Sequence, residues 1–487
     1  TLFYLRRFLN FLKKEFELTT LSEIRVSQEF VAFFNQISNA LAKYKPLLKG
    51  KITDRERKLV LDRLAQAGSE YRQQIYQYTF TGNKQTLTVG NISNLIALSL
   101  EYIEHTIRAN KRNDGLYHSY NLMTLVNHNE ITVSYLSEML EGQVAVLSSG
   151  YLSSKEAIDL LNSLKKSQLF RNDQSSYILY PNRELPLFMN KNQVPAFEIL
   201  KSELLSQLVS NGNQKIIEKD INECFHFNGN FKNATDLRKA LTELSDSTYS
   251  KLVEKDRELV LAIFEKVFNH KAFTGRSGTF FGYEGLGSIY WHMVSKLQLA
   301  VLECCQKAIS RKEDASVINN LIAHYYEINE GIGVHKSPQL YGAFPTDPYS
   351  HTPEGKGAKQ PGMTGQVKED LLSRFGELGV SVNNGMLVFA PYIIRKNEFL
   401  SQPTDFNYIN INSLEQKISL EKDSLAFTYC QVPVVYKLSD KNKLSIKMVN
   451  GLVIDSESFV IDNTISQKIF ERTGDVVQIE LEWENNS

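Results

Sequence analysis

The sequence predicts a mainly α-helical protein that ends in a small antiparallel β-domain. Apolar residues recur at spacings of three and four through about residue 377, the mark of helices with one buried face. From about residue 378 the period changes to two, as in half-buried strands. The chain has 487 residues, 42% hydrophobic and 11% aromatic, which provides core for several domains and excludes a disordered or fibrous chain. The expected division is residues 1–377 for the helical domain and 378–487 for the β-domain.

Each element has a local reason. Leu12 and Phe16, then Phe30, Phe33, Phe34, Ile37 and Leu41, define the first helical faces. Thr53-Asp54-Arg55-Glu56 offers an N-cap and an acidic first turn for the helix carrying Leu59, Leu61, Leu64 and Ala67. Periodic segments follow near 91–109, 132–148, 154–165, 194–211, 234–245, 248–268, 285–310, 314–329 and 363–375. No 34- or 40-residue repeat is present, so the common solenoids are not supported. Such helices can build an irregular bundle or a closed double ring, and periodicity alone does not choose. In the β-domain, Asn384-Gly385 between two apolar alternations predicts a hairpin. Strands are expected at 425–438, 443–449, 451–461 and 475–483, the last with Val477, Ile479 and Leu481 on one face.

Composition narrows the partners. Lys plus Arg equals Asp plus Glu at 55 each, so the phosphate-neutralising excess of a nucleic-acid or anionic-membrane binder is missing. No apolar run reaches the roughly 20 residues of a membrane span. Cys224, Cys304, Cys305 and Cys430 form neither a disulfide framework nor a metal spacing, which favours reduced thiols and slightly favours the cytoplasm. The chain opens at Thr1-Leu2-Phe3-Tyr4 without an initiator methionine, and the expectation is an additional N-terminal region of the same polypeptide.

Three segments carry polar chemistry. Residues 112–121 hold Asp114, a candidate general acid, with Tyr117, His118 and Tyr120; Asn113-Asp114-Gly115 is equally suited to a plain turn. Residues 270–292 hold four glycines from Gly275 to Gly285 among Arg276, Tyr283, Glu284, Trp291 and His292. Glycines allow close backbone approach and aromatic faces stack on sugar rings. The segment from Gly331 to Gly365 contains Pro338, Pro345, Pro348, Pro353 and Pro361 with Asp347, His351 and Lys356. Prolines reduce the entropy lost in ordering a long loop, as a cavity rim requires. Its histidines and aspartate lack a compact ligand spacing, so no metal is expected. Nucleophile elbows, Walker loops and His-Glu-x-x-His are absent from the sequence.

The order of these motifs resembles that of inverting (α/α)6-barrel carbohydrate enzymes, in particular the cellobiose-phosphorylase-like group. Asn113-Asp114-Gly115 is similar to the end of their acid motif, although Lys111 and Arg112 stand where that motif has Asp and Trp. Glu138 to Gly150 with Ser153 to Ala157 resembles their alanine-rich helix, and Gly355-Lys356-Gly357 with Thr364-Gly365 resembles their phosphate loop. The resemblance implies an (α/α)6 toroid-like barrel before the β-domain, an oligosaccharide or glycoside substrate, and Asp114 as proton donor. Inverting hydrolysis also needs a base, for which Glu284 is the first candidate, then Glu327 and Glu369. Phosphorolysis instead uses inorganic phosphate as co-substrate and no cofactor, with Arg276, His351, Lys356 and Thr364 as donors to it. Tyr117, Tyr120, Tyr283 and Trp291 are the expected sugar-stacking rings, with His118, His292 and Asp347 as further substrate contacts. The alternative function is a non-catalytic carbohydrate-binding or scaffolding region of a larger protein.

Overall fold

The computed structural model describes residues 1–181, 186–269, 289–334, 351–352 and 364–483. The first helices are α1 (Leu2–Leu18), α2 (Gln28–Tyr44), α3 (Asp54–Gln73) and α4 (Val89–Ala109). α3 begins on the cap legible in its sequence: the Glu56 N–H donates to the Thr53 hydroxyl, and the Thr53 N–H donates to the Glu56 carboxylate. The expected helix over 132–148 is divided. Residues Asn121–Asn127 and Glu130–Tyr135 pair as an antiparallel hairpin, and α5 occupies only Leu140–Ser148. Ile131-Thr132-Val133 is a β-branched run, and so short an apolar stretch fits strand or helix equally by spacing.

α6 (Ser154–Lys166) starts on a second capping box, Ser153 with Glu156. Then come α7 (Glu203–Ser210), α8 (Ala234–Ser245), α9 (Ser250–Phe268), α10 (Trp291–Ser310), α11 (Ala315–Asn329) and α12 (Thr364–Glu377). α10 is the spine of the helical region. Its Trp291, Val294, Leu297, Val301 and Cys305 are buried, and α5, α6, α11 and α12 all pack on it.

α5 and α12 run in the same direction as α10. Lys307, near the end of α10, donates to the carbonyls of Gly150 and Leu152 just beyond α5, at 3.1 and 2.8 Å. A Cβ on Gly376, near the end of α12, would meet Leu302 and Gln306 of α10. α1 flanks α5, its Arg6 and Arg7 reaching the carbonyls of Ser149 and Ser148. The row α1–α5–α10–α12 is backed by a second layer in which α4 packs on α1 and α6 and α11 pack on α10. One apolar cluster joins Phe3, Ile107, Val146, Leu161, Trp291 and Tyr325 across both layers.

α7, α8 and α9 belong elsewhere. With the hairpin of Ile217–Lys219 and Phe225–Phe227 they enclose a separate apolar cluster of Leu205, Leu208, Phe227, Leu241, Val260 and Phe264. Periodicity placed α8 and α9 closely, but the helix expected over 194–211 is divided into a single turn Ala196–Ile199 and α7. Nothing in the spacing shows that these helices bury their faces against one another. A stripe of apolar residues does not name its partner.

The C-terminal region forms a third cluster. Strands Val380–Asn383 and Met386–Phe389 turn at Asn384-Gly385, both with positive φ (50° and 78°), as the Asn-Gly pair predicts. The main sheet runs in the order Ser424–Tyr429, Val432–Leu438, Val476–Trp483, Lys443–Met448, Val453–Ser456. The expectation of a wholly antiparallel domain is corrected here, because Val432–Leu438 and Val476–Trp483 are parallel. Val476–Trp483 enters the middle of the sheet, between Val432–Leu438 and Lys443–Met448, after α13 (Asn463–Phe470), the longer connection that a parallel pair needs. Val477 is corrected too: the register shifts at Lys447/Met448, so Val477 turns outward and alternation sets in at Ile479.

Buried hydrogen bonds join α10, α11 and α12 to one another and to the β-region. Tyr325 donates to Glu377 at 2.6 Å and accepts from Gln298 at 3.0 Å, while Tyr326 and Tyr436 donate to the carbonyls of Ile393 and Leu378. Tyr325→Phe removes the donor to Glu377 Oε1 while Arg374 still holds Oε2 at 2.6 Å, so chemical denaturation is expected to show a loss of about 1–2 kcal/mol. No helix among the described residues is long and apolar enough to cross a membrane.

Candidate active site

Asp114 lies in a closed turn. The Arg112 N–H donates to Leu116 O at 2.8 Å, and Lys111 bridges to Tyr117 across it. The Arg112 guanidinium grips the Asp114 carboxylate at 2.8 to 3.1 Å, the Leu116 N–H adds a bond at 3.1 Å, and Arg112 also reaches Glu138 at 3.3 Å. Partial burial works to raise the Asp114 carboxyl, but the Arg112 and Leu116 bonds together outweigh it and hold it below the ordinary carboxylate range. A proton donor has to start protonated, and this group is held as an anion. Among the described residues no hydrogen bond or ion pair joins Asp114 to His292, Glu369 or Asp370. Asp114→Asn is expected to lower stability by about 1 kcal/mol and to change turnover by less than about threefold. Loss of turnover in a normally folded Asp114→Asn protein would return the donor role to it.

The neighbouring residues are buried or half-buried. Tyr117 is 3% exposed, its backbone N–H and C=O both bonded at 2.9 Å by the buried Gln143 amide of α5, and burial pushes its phenol up to about 12. Its ring is enclosed rather than offered to a sugar. His118 stacks on Tyr135 with centroids 3.9 Å apart; burial, then the Arg112 charge, hold it below its usual value. Tyr120 points toward the α5 N-terminus, where its hydroxyl donates to Glu141 at 2.6 Å.

A second cluster lies at the N-terminal ends of α10 and α12. Strand Ile289–Tyr290 pairs with His351–Thr352, setting His351 opposite Tyr290 at the head of α10. His292 Nδ1 is 3.4 Å from the Tyr290 hydroxyl, and its Nε2 is 3.4 Å from Glu369 Oε2. Glu369 is 3% exposed, with Oε1 3.6 Å from Lys368 Nζ. His292 Nε2 and Glu369 Oε2 are buried and face each other without a well-aligned hydrogen bond, and the buried Ser295 hydroxyl bonds the Asp370 carboxyl. Burial, then Lys296, hold His292 below its ordinary value, so its ring is neutral near pH 7. Burial, then the Glu369 charge, push the Asp370 carboxyl up to about 6. Asp370 itself is exposed to solvent.

The Tyr4 phenol on α1 is raised by burial first, then by the charges of Glu141 and Glu303, with Glu369 contributing. Glu303 is itself raised by burial, opposed by Arg7 at 2.8 Å.

Trp291 is 0% exposed and belongs to the main core, which leaves no face for stacking. Arg276, Tyr283, Glu284, Asp347 and Lys356 lie outside the described residues. His351 and Thr364 are described by backbone alone, and both stand at the end that carries His292, one in the short strand and one opening α12. Glu327, a weaker base candidate, is paired instead with Lys165. Sequence reasoning missed Asp370, Glu141, Lys296 and Tyr4. The adjacent acids Glu369-Asp370, five and six residues beyond Thr364, were the available signal for the first.

The described residues form a layered helical region followed by a β-region, with His292, Glu369 and Asp370 in the N-terminal halves of α10 and α12. A comparison with known families narrows this. Residues 185–271 match the family model described as GH149 phosphorylase insertion domain 2. The matched stretch is the segment that folds around its own core, and the match supports a glycoside phosphorylase family and a role in carbohydrate metabolism. No curated protein matches the chain.

Proposed function

We propose that this chain is part of a glycoside phosphorylase that cleaves a glycosidic bond with inversion, inorganic phosphate being the attacking group. The match of residues 185–271 to a phosphorylase insertion domain carries this reading. The packing supports a double ring of the (α/α)6 kind within residues 1–377, with α1, α5, α10 and α12 as inner helices and α4, α6 and α11 behind them. The β-domain of 378–487 follows, and the phosphorylase-like module stands as an insertion between α6 and α10.

Phosphate needs donors and positive potential. The aligned N-termini of α5, α10 and α12 supply partial positive charge at one end. Lys296 and Lys368 stand there, with His351 and Thr364 on the adjoining backbone. His292 and Ser295 lie beside the carboxylates of Glu369 and Asp370, polar groups within reach of the same end. Asp370 is the proposed proton donor, because its raised carboxyl retains a proton to higher pH than an ordinary aspartate. In the reaction, a phosphate oxygen bonds to the anomeric carbon from the face opposite the leaving group. The glycosidic C–O bond breaks as the leaving oxygen takes the Asp370 proton. No base is required, since phosphate is already nucleophilic.

The test is a panel of oligosaccharides incubated with and without inorganic phosphate, followed by phosphorus NMR. A sugar 1-phosphate of inverted configuration, formed only with phosphate, is the expected product. Free sugar in the absence of phosphate would show a hydrolase. Binding with neither product would show the non-catalytic alternative.

A further inference from the structure

The open face of α2 is not an ordinary solvated face of lysines and glutamates. From Gln28 to Ala42 its one charged residue is Glu29, and Ala32, Asn35, Gln36 and Asn39, spaced by three and four, hold exposed positions. α3 answers with Gln66, Glu70 and Gln74 at intervals of four. Gln36 donates across to Glu70 at 2.9 Å, and Phe33 stacks on Tyr71 with centroids 4.6 Å apart. Between the helices lies a cleft of about 610 Å³, within the roughly 300–1,000 Å³ of small-ligand sites. A second cleft of about 300 Å³ shares Gln36 and Glu70 with it. Glu29 lines the larger one and is only 7% exposed. Its Oε1 accepts from the Thr81 N–H and hydroxyl at 2.9 and 2.6 Å. Gln28 stands beside this carboxylate, its amide donating to the Thr81 hydroxyl at 2.8 Å. Glu29 Oε2 is buried without a well-aligned hydrogen bond of its own. A carboxylate oxygen fixed in that state is a ready acceptor for a donor on a ligand.

We propose that the α2–α3 cleft is a second carbohydrate site, one that holds an uncharged oligosaccharide chain and performs no chemistry. The lining decides the class of ligand. Among the described residues, those around Glu29 include no lysine or arginine and only Ala32 as an aliphatic, so neither an anion nor a lipid chain fits. The side-chain amides of Asn35, Gln36, Gln74 and Gln85 each carry donor and acceptor close together, which matches neighbouring sugar hydroxyls. Glu29 Oε2 accepts one such hydroxyl through a charge-assisted bond. The apolar face of a sugar ring packs on aromatic rings. Tyr76, Tyr78 and Phe80, on the segment joining Gln74 to Thr81, are 51 to 81% exposed. The site stands apart from the cluster at His292, because α2 and α3 pack chiefly on each other, on α4 and on strand Glu130–Tyr135, whereas α12 packs on α10. Anchoring here favours long chains over short ones, since a second point of attachment raises the effective concentration of the chain. The inference concerns binding alone and holds whatever reaction the His292 end performs.

The experiment titrates the native polypeptide calorimetrically, in phosphate-free buffer, with neutral hexasaccharides of glucose, mannose and xylose, and separately with a lysine hexapeptide. The variants are Glu29→Gln, which removes the charge and keeps the shape, and Asn35→Ala and Gln85→Ala, which alter exposed side chains and so test the site even where Glu29→Gln disturbs the Thr81 turn. Expected is binding of at least one hexasaccharide that weakens about tenfold or more in Glu29→Gln and about two- to tenfold in each of the others. The rate on the shortest cleaved saccharide should remain that of the parent. Unchanged affinity for every hexasaccharide in the folded variants would overturn the proposal, and so would the absence of any hexasaccharide binding. Peptide binding that Glu29→Gln abolishes, with no saccharide affected, would make the cleft a peptide site and overturn it equally. A protein that binds as expected yet forms no sugar phosphate would count against the proposed reaction and leave this site standing.

Discussion

Asp370→Asn is expected to reduce phosphorolysis by about 10²–10⁴-fold with little change in substrate binding, the usual contribution of a positioned acid. Asparagine preserves the shape of the side chain and removes only the proton that the leaving oxygen needs. In the unaltered protein the rate should fall as pH rises through about 6, where Asp370 loses that proton. The Asn variant should lack this limb. Stability moves the other way. The folded carboxyl is raised above its unfolded value of about 3.9, so ionisation costs stability. That cost is absent below about pH 4, develops as pH rises through about 6, and persists above, reduced by the solvent that reaches the group. Asp370→Asn should therefore melt higher than the parent at pH 8 and at the same temperature at pH 4. A variant that keeps full turnover would remove Asp370 from the chemistry, and with Asp114→Asn inactive the donor would be Asp114.

Trp291→Ala is expected to destabilise the helical region by about 3–5 kcal/mol, the range for emptying a large aromatic from a packed core. Trp291 opens α10 with no exposed surface and shares one cluster with Phe3, Ile107 and Tyr325, so the cavity would border both helical layers. Denaturant titration measures the loss. The same substitution separates core from sugar platform. A stacking residue on a cleft wall would raise KM while leaving the folding midpoint nearly unchanged, and that result would contradict the enclosed position.

The parts of the fold that were legible in the sequence are those with local causes. The capping boxes at Thr53 and Ser153 place the starts of α3 and α6, and the Asn384-Gly385 turn sets its hairpin. The hairpin before α5 was hidden because a short β-branched run obeys either period. The separate core of α7–α9 was hidden for a different reason. Nothing in Leu204, Leu208 or Val260 states whether its partner is α10 or α8, since burial is a property of pairs far apart in sequence. The site was half legible. His292, His351 and Thr364 are brought to one end by the pairing of Ile289–Tyr290 with His351–Thr352 and by α12 packing on α10. Asp114 and Trp291 have the residue types of a donor and a sugar platform, but Arg112 and the core decide their state. Asp370 was missed because its raised pKa comes from burial and the charge of its neighbour, which only the fold creates.

The module between α6 and α10 also bears on how the chain finds its fold. Phe188 and Phe268, near its two ends, stack with centroids 6.3 Å apart. Once this module has folded, the long excursion separating α6 from α10 behaves as a much shorter tether. The entropy lost in joining two segments falls with the length of free chain between them, by about 0.6 kcal/mol for each halving. The module is thus placed to fold first and draw the two halves of the main core together. A core substitution that unfolds the module, such as Phe264→Ala, should by separating those ends again slow the assembly of helices that the module does not touch.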